Sequence, residues 1–294
     1  MPHRSDVSTD DLAALLAGVA TGKTSVETAV SRLTSPPGNL QLSSADTESA
    51  GSGVPLPLTL DLDRQRRCGF AEVIYGAGKP AELIAEIMRR QRQAGQDSLA
   101  TRVTVETAKA VAEIIPEVRY NPDARCLLAG AAANKTPSPL DMSATRLVRH
   151  AAVVTAGSTD APVCEEAIET LHWMGIPFRS FNDIGVAGPD RLLAAVPELR
   201  QAAAVIVIAG MEGALPAAVG GHLSVPVFAV PTSVGYGATL GGLTPLMGML
   251  SCCSSNVAVV NIDAGFKAAY LSGLVVKSPE FNRPENRNAS DEEE

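Results

Sequence analysis

Apolar and polar residues alternate along this chain in blocks of two lengths. From about residue 149 onward, short, mainly apolar runs recur: "AAVVTAG", "IPFRSF", "AAAVIVIAG", "VPVFAVP" and "VAVVNID". Each is too short for a helix, and most are rich in Val and Ile, so they read as buried strands. Between them lie longer stretches with helical spacing, at about residues 160–174 and 189–195, in "GALPAAVGGHL", in "ATLGGLTPLMGMLSCC" and in "AGFKAAYLSGLV". Strand and helix in regular alternation predict a parallel sheet covered on both faces. A smaller set of the same signals precedes it: a strand near residues 72–75, a turn and amphipathic helix in "GAGKPAELIAEIMRRQRQAG", and strand–helix–strand alternation over residues 98–129. Residues 8–33 carry a helical pattern with Ser8 or Thr9 as the N-cap, and "SPPGNLQLSSADTESAGSGVPLPL" reads as an unpacked linker. The organisation expected is therefore a helix and linker over 1–57, a small α/β domain over 58–130, an α/β domain over 149–277 and an acidic, disordered tail over 278–294.

Composition narrows the class. Apolar residues make up 46% of the chain and aromatics only 4%, as suits a core of Ala, Val, Leu and Ile. The net charge of −8 argues against a nucleic-acid surface, which needs clustered Lys and Arg. No window approaches 18 unbroken apolar residues, and the start lacks a signal-peptide core, so neither a membrane span nor export is expected. Five cysteines with no C-x-x-C pair suit a reducing, cytoplasmic setting. The histidines are scattered, with no zinc spacing, and no metal ligands can be named.

Candidate chemistry falls on loops at the carboxyl ends of the strands, where ligands bind in such sheets. In "TAGSTDAPV", Gly157 permits a tight turn, the backbone N–H groups of Ser158 to Ala161 at a helix start suit a phosphate or carboxylate, and Asp160 either caps that helix or meets a ligand. In "IAGMEGALP", Gly210 and Gly213 flank Met211 and Glu212, an ionisable group at a strand mouth or else a surface residue at a helix start. "PTSVGYGATLGG" brings Ser233, Gly235, Tyr236 and Gly237 into a loop of ligand-hugging composition. Upstream, Arg64, Arg67, Lys79 and Arg102 are cations suited to phosphate or carboxylate, or to surface salt bridges. Cys68, Cys126 and Cys164 read as structural, whereas spacing alone does not choose between the adjacent Cys252 and Cys253.

In order, "D-x-x-R-x-x-R-x-G-x-x-E-V-I", "ATRV", "VVTAGSTDAPV", "DIGVAG", "VIVIAGMEGALP", "VPTSVGYGATLGG" and "VAVVNIDAGF" resemble the LarB family, the pyridinium-3,5-biscarboxylic acid mononucleotide synthases of nickel-pincer cofactor assembly. The second domain is also similar to the PurE family of aminoimidazole ribonucleotide carboxylases. That likeness implies a flavodoxin-like three-layer sheet preceded by the small α/β domain. PurE proteins carry a histidine after the second strand; here the place reads "FNDIGVAGPDR". The LarB resemblance implies carboxylation of nicotinic acid adenine dinucleotide with CO2 or bicarbonate, through a cysteine adduct at ring C4, and release of AMP. It implies Cys253 as nucleophile, Glu212 for proton handling, Gly157, Ser158 and Asp160 around ribose-phosphate or CO2, and the first-domain cations as dinucleotide contacts. It also implies a homo-octamer with shared sites, for which "AGFKAAYLSGL" offers an apolar face, and Mg2+ suits the diphosphate hydrolysis. A PurE-type carboxylase or mutase, or a non-catalytic nucleotide-binding module, are the alternatives.

Overall fold

The computed structural model describes residues 16–21, 23–27, 29, 39–41, 59–140 and 148–278. The candidate caps Ser8 and Thr9 and the tail after Ser278 lie outside the described residues. The chain divides into two compact units at Glu72/Val73.

In the first unit, residues 16–20 are helical. The segment expected to be an unpacked linker contributes a strand: β1 (Asn39–Gln41) pairs antiparallel with β2 (Thr59–Asp61), Leu40 opposite Leu60. A short helix, α1 (Arg64–Cys68), follows and ends on Gly69 in the left-handed conformation.

The second unit contains two sheets. The smaller comprises β3 (Ile74–Tyr75), β4 (Ser98–Thr101), β5 (Arg119–Asn121) and β6 (Cys126–Ala129) in the order β3-β4-β6-β5. Helices α2 (Ala81–Gln93) and α3 (Val105–Ile114) intervene, and Thr104 caps α3 by accepting from Thr107 N at 3.2 Å. Alternation ends at β5, which pairs antiparallel with β6. The Asn121 side chain accepts from the Asp123 and Ala124 N–H groups, folding "NPDA" into a tight turn with no room for a helix.

The larger sheet is parallel, in the order β11-β10-β9-β7-β8, from β7 (Ala151–Thr155), β8 (Phe178–Phe181), β9 (Ala204–Ala209), β10 (Val227–Pro231) and β11 (Val257–Val259). This is the flavodoxin-like order expected of the second domain. Every residue of β7 and β9 is buried, which is why these strands read as continuous apolar runs. On one face α4 (Ala161–Trp173) packs against α8 (Gly265–Lys277). On the other, Leu192 and Val196 of α5 (Pro189–Leu199), Leu215 and Val219 of α6 (Leu215–Gly220) and Met249 of α7 (Leu243–Leu250) close a core over Val154, Val205 and Val207.

Around the large sheet two further expected elements differ. "VAVVNID" does not form a buried strand: only Val257–Val259 pair, and as an edge strand bound to β10 alone they stay partly exposed. "ATLGGLTPLMGMLSCC" is not one helix. A 3-10 stretch (Gly237–Gly242) breaks at Leu240, Gly241 and Gly242, all at positive φ, before α7 begins, and Cys252 and Cys253 lie beyond the end of α7. Among the described residues no helix is long and apolar enough to cross a membrane.

Candidate active site

The order of the large sheet reverses between β7 and β9, and the loops leaving these strands enclose a cavity of ≈ 290 Å³ at that point. Gly157 and Asp160 reach it from β7, Gly185 and Val186 from β8, and Gly210, Met211 and Glu212 from β9. Five residues singled out from the sequence therefore meet here, drawn from two strand ends. Gly210 is required by close approach: a Cβ there would stand 2.4 Å from the Val234 carbonyl oxygen and 2.8 Å from Thr232 Oγ1.

Asp160 occupies the cap position of α4 but makes no side-chain capping bond. Instead Oδ2 accepts from Gly157 N at 3.0 Å and Oδ1 from Thr232 Oγ1 at 2.9 Å, joining the β7 and β10 ends. The carboxyl is buried, and burial raises its pKa above the ordinary value, against the lowering effect of those bonds. Glu212 is exposed at the rim. The cavity thus holds one sheltered carboxyl that takes up a proton more readily than usual and one solvent-facing carboxyl, an arrangement suited to moving a proton.

A second cavity of ≈ 190 Å³ includes Arg102, Arg125, Glu166, Ser233, Val234 and Asp263 in its lining. Arg102 pairs with the buried Glu166 (Nε to Oε1, 3.3 Å) and donates through Nη2 to the Asp263 carbonyl. Ser233 N donates to Asp263 Oδ1 at 2.8 Å. Burial raises the Glu166 pKa, opposed by the Phe266 N–H and Arg102. Arg102 is thus a brace between the small sheet and the loop after β11 as well as a wall of this cavity.

The other candidates are dispersed. Gly213 is buried against Pro245 and Met249 of α7. Gly235, Tyr236 and Gly237 stand in an exposed loop, Tyr236 at 81% exposure. Ser158 lines a third cavity beside β7. Lys79 is half-buried after β3 and lines none of these cavities. Arg64 and Arg67 are exposed on α1 of the first unit, where Arg67 pairs with Asp61 and Asp63.

Of the cysteines, Cys126 and Cys164 are buried, and burial pushes the Cys164 thiol up to about 12, so neither is a ready thiolate. Cys68 is exposed. Cys253 is exposed and Cys252 half-buried, on the connection from α7 to β11. That connection is fixed to α6 and the segment after it by Ser254 Oγ donating to Ala217 O at 2.9 Å, and by Asn256 Nδ2 donating to Gly220 O, Leu223 O and Val225 O. α7 itself touches the Glu212 loop, since a Cβ on Gly248 would lie 2.5 Å from Glu212 O. Cys253 nonetheless lines none of the cavities above.

Sequence reasoning missed Thr232, Asp263, Glu166 and the pair of Arg119 with Glu169. It also missed a backbone signature. Arg102, Asp183, Met211 and Asp263, none of them glycine, adopt φ of 52–58° just past the ends of β4, β8, β9 and β11. Each such residue stores about 1–3 kcal/mol, and strain of this kind gathers at functional sites.

Residues 57–131 match the LarB/PurE-like N-terminal domain family, and residues 150–284 match the AIR carboxylase family. The chain belongs to the LarB family. It is similar to an uncharacterized protein of Methanocaldococcus jannaschii, 36% identical over 222 residues that span 73% of this chain and 82% of that protein. The LarB and AIR carboxylase matches together support a carboxylase-type function.

Proposed function

We propose that the protein carboxylates C5 of the pyridinium ring of nicotinic acid adenine dinucleotide and cleaves its phosphoanhydride, giving pyridinium-3,5-biscarboxylic acid mononucleotide and AMP. The observation that supports this best is the convergence of Gly157, Asp160, Gly210, Met211 and Glu212 on one cavity at the reversal of the sheet, in a LarB-family chain. A cationic, electron-poor ring resists attack on CO2. Addition of a thiolate at C4 forms a C–S bond, sends a ring electron pair to nitrogen and leaves an enamine whose C5 bonds to CO2. Loss of the C5 proton to a carboxylate, for which Glu212 is the candidate, and expulsion of the thiolate restore the aromatic ring. Water then cleaves the P–O–P link. Sulfur suits this role as both a strong nucleophile and a good leaving group. Cys253 is the assigned thiolate.

An exposed sulfur outside its own chain's cavities fits a site completed between copies. Residues 213–262 contain no Asp, Glu, Lys or Arg, and α7 presents Leu243, Met247 and Leu250 to solvent at 46%, 56% and 60% exposure. The apolar side of α8 is largely spent inside the chain, with Ala268, Ala269, Ser272 and Val276 buried. The α7 face is therefore assigned to the contact between copies of a homo-octamer, in which Cys253 reaches a neighbour's cavity. Among the described residues no cluster of three or more His, Cys, Asp or Glu side chains is placed to hold a metal ion. Mg2+ is usually held by one or two carboxylates together with substrate phosphates, so the dinucleotide's own diphosphate would supply most of its ligands.

The test is the appearance of the biscarboxylated mononucleotide together with AMP from the dinucleotide and bicarbonate. Cys253→Ala is expected to abolish it and Cys252→Ala to retain much of it; normal turnover by Cys253→Ala would remove the nucleophile assignment.

A further inference from the structure

A dinucleotide has two nucleoside ends, and the cavity at the sheet reversal accommodates one. On the other side of the β7 end lies a larger cavity of ≈ 530 Å³, within the usual size for a small-molecule site. Gly157 lines both cavities, so a short linker crossing it joins them.

The larger cavity has the chemistry of a nucleoside pocket rather than a phosphate pocket. Ile168 of α4, Phe178 of β8, and Pro137 and Pro139 give it flat apolar walls. Its charged groups are mainly acidic. Glu169 is fully buried and holds Arg119 through paired bonds of 2.7 Å, which neutralises the one guanidinium in the lining. Glu165 accepts from Asn121 Nδ2 at 3.2 Å, and Asp183 pairs at the rim with Arg191. A phosphate would meet these carboxylates and be repelled, whereas ribose hydroxyls and an exocyclic amine donate to them.

We infer that this cavity binds the adenosine half of the substrate, with the diphosphate crossing at Gly157 and Ser158 toward the amino end of α4. The inference rests on the dinucleotide reading above and adds where its second half is held.

Calorimetric titration of the full chain with AMP, and separately with nicotinic acid mononucleotide, tests it. Ser180→Trp places an indole in the cavity from edge strand β8, and Asn182→Trp does so from an exposed rim position that leaves the fold intact. Both variants are expected to weaken AMP binding by about tenfold or more while nicotinic acid mononucleotide affinity stays within about twofold. Absence of AMP binding by the unmodified chain, or equal AMP affinity in all three proteins, overturns the assignment. Binding requires no turnover, so the two readings fail separately. AMP affinity that falls in both variants supports the adenosine site even if no carboxylation is found. Normal carboxylation with unchanged AMP affinity removes this site alone.

Discussion

Replacing Gly210 by alanine probes the cavity at its tightest point. The new methyl would lie 2.4 Å from the Val234 carbonyl oxygen and 2.8 Å from Thr232 Oγ1. An unstrained carbon–oxygen contact is about 3.3 Å, so the Val234 carbonyl must retreat by about 0.9 Å. That carbonyl accepts from Met211 N at 3.3 Å, and Thr232 holds the buried Asp160, so the displacement reaches both. Overpacking of this kind costs about 1–3 kcal/mol. A shift of about 1 Å in a positioned site costs about 100-fold in rate. Urea unfolding should give a lower midpoint with an unchanged slope, and AMP release should fall by about two orders of magnitude. Gly157→Ala is the control for stability. Its backbone is extended at φ −149° and a Cβ there meets nothing within 4 Å, so its stability should stay within about 0.5 kcal/mol. If Gly210→Ala matched the unmodified protein in both midpoint and rate, the close approach of Val234 would not be the constraint deduced here.

Other perturbations follow from the same contacts. Arg119→Met strands the fully buried Glu169 and should destabilise the protein by about 3–5 kcal/mol in urea; a loss under about 1 kcal/mol would contradict a buried pair. Asp160 has its pKa raised in the folded state, so the folded chain binds more protons than the unfolded one from 3.8 upward, and that stabilising share is lost as pH rises through the folded value. Asp160→Asn should remove this slope from the stability–pH curve; parallel curves would refute it. Met247→Lys combined with Leu250→Lys should shift the protein to a smaller species by light scattering with little change in melting, and an unchanged mass would exclude the α7 face as the contact between copies.

Much of the large sheet was legible because β7 and β9 are buried on both faces, and burial leaves an unbroken apolar run in the sequence. The same rule misled at β11, where apolar residues line an edge, and at β1, where a Ser/Gly/Pro-rich segment pairs with a strand about twenty positions away. Glycines marked the strand-end loops correctly, yet left-handed Arg102, Asp183, Met211 and Asp263 carry no such marker. The bonds of Asp160 to Thr232 and Arg102 to Asp263 span 72 and 161 positions. Such pairs are made by the order of the strands, and no local spacing announces them.

Mass spectrometry of the products formed by the purified protein from nicotinic acid adenine dinucleotide and 13C-bicarbonate tests the chemistry most directly. The expected result is a mononucleotide with a single labelled carboxyl on ring C5, in step with free AMP, and neither product with Cys253→Ala. An unlabelled nucleotide pool, or a labelled product that forms equally well without the Cys253 sulfur, would contradict it.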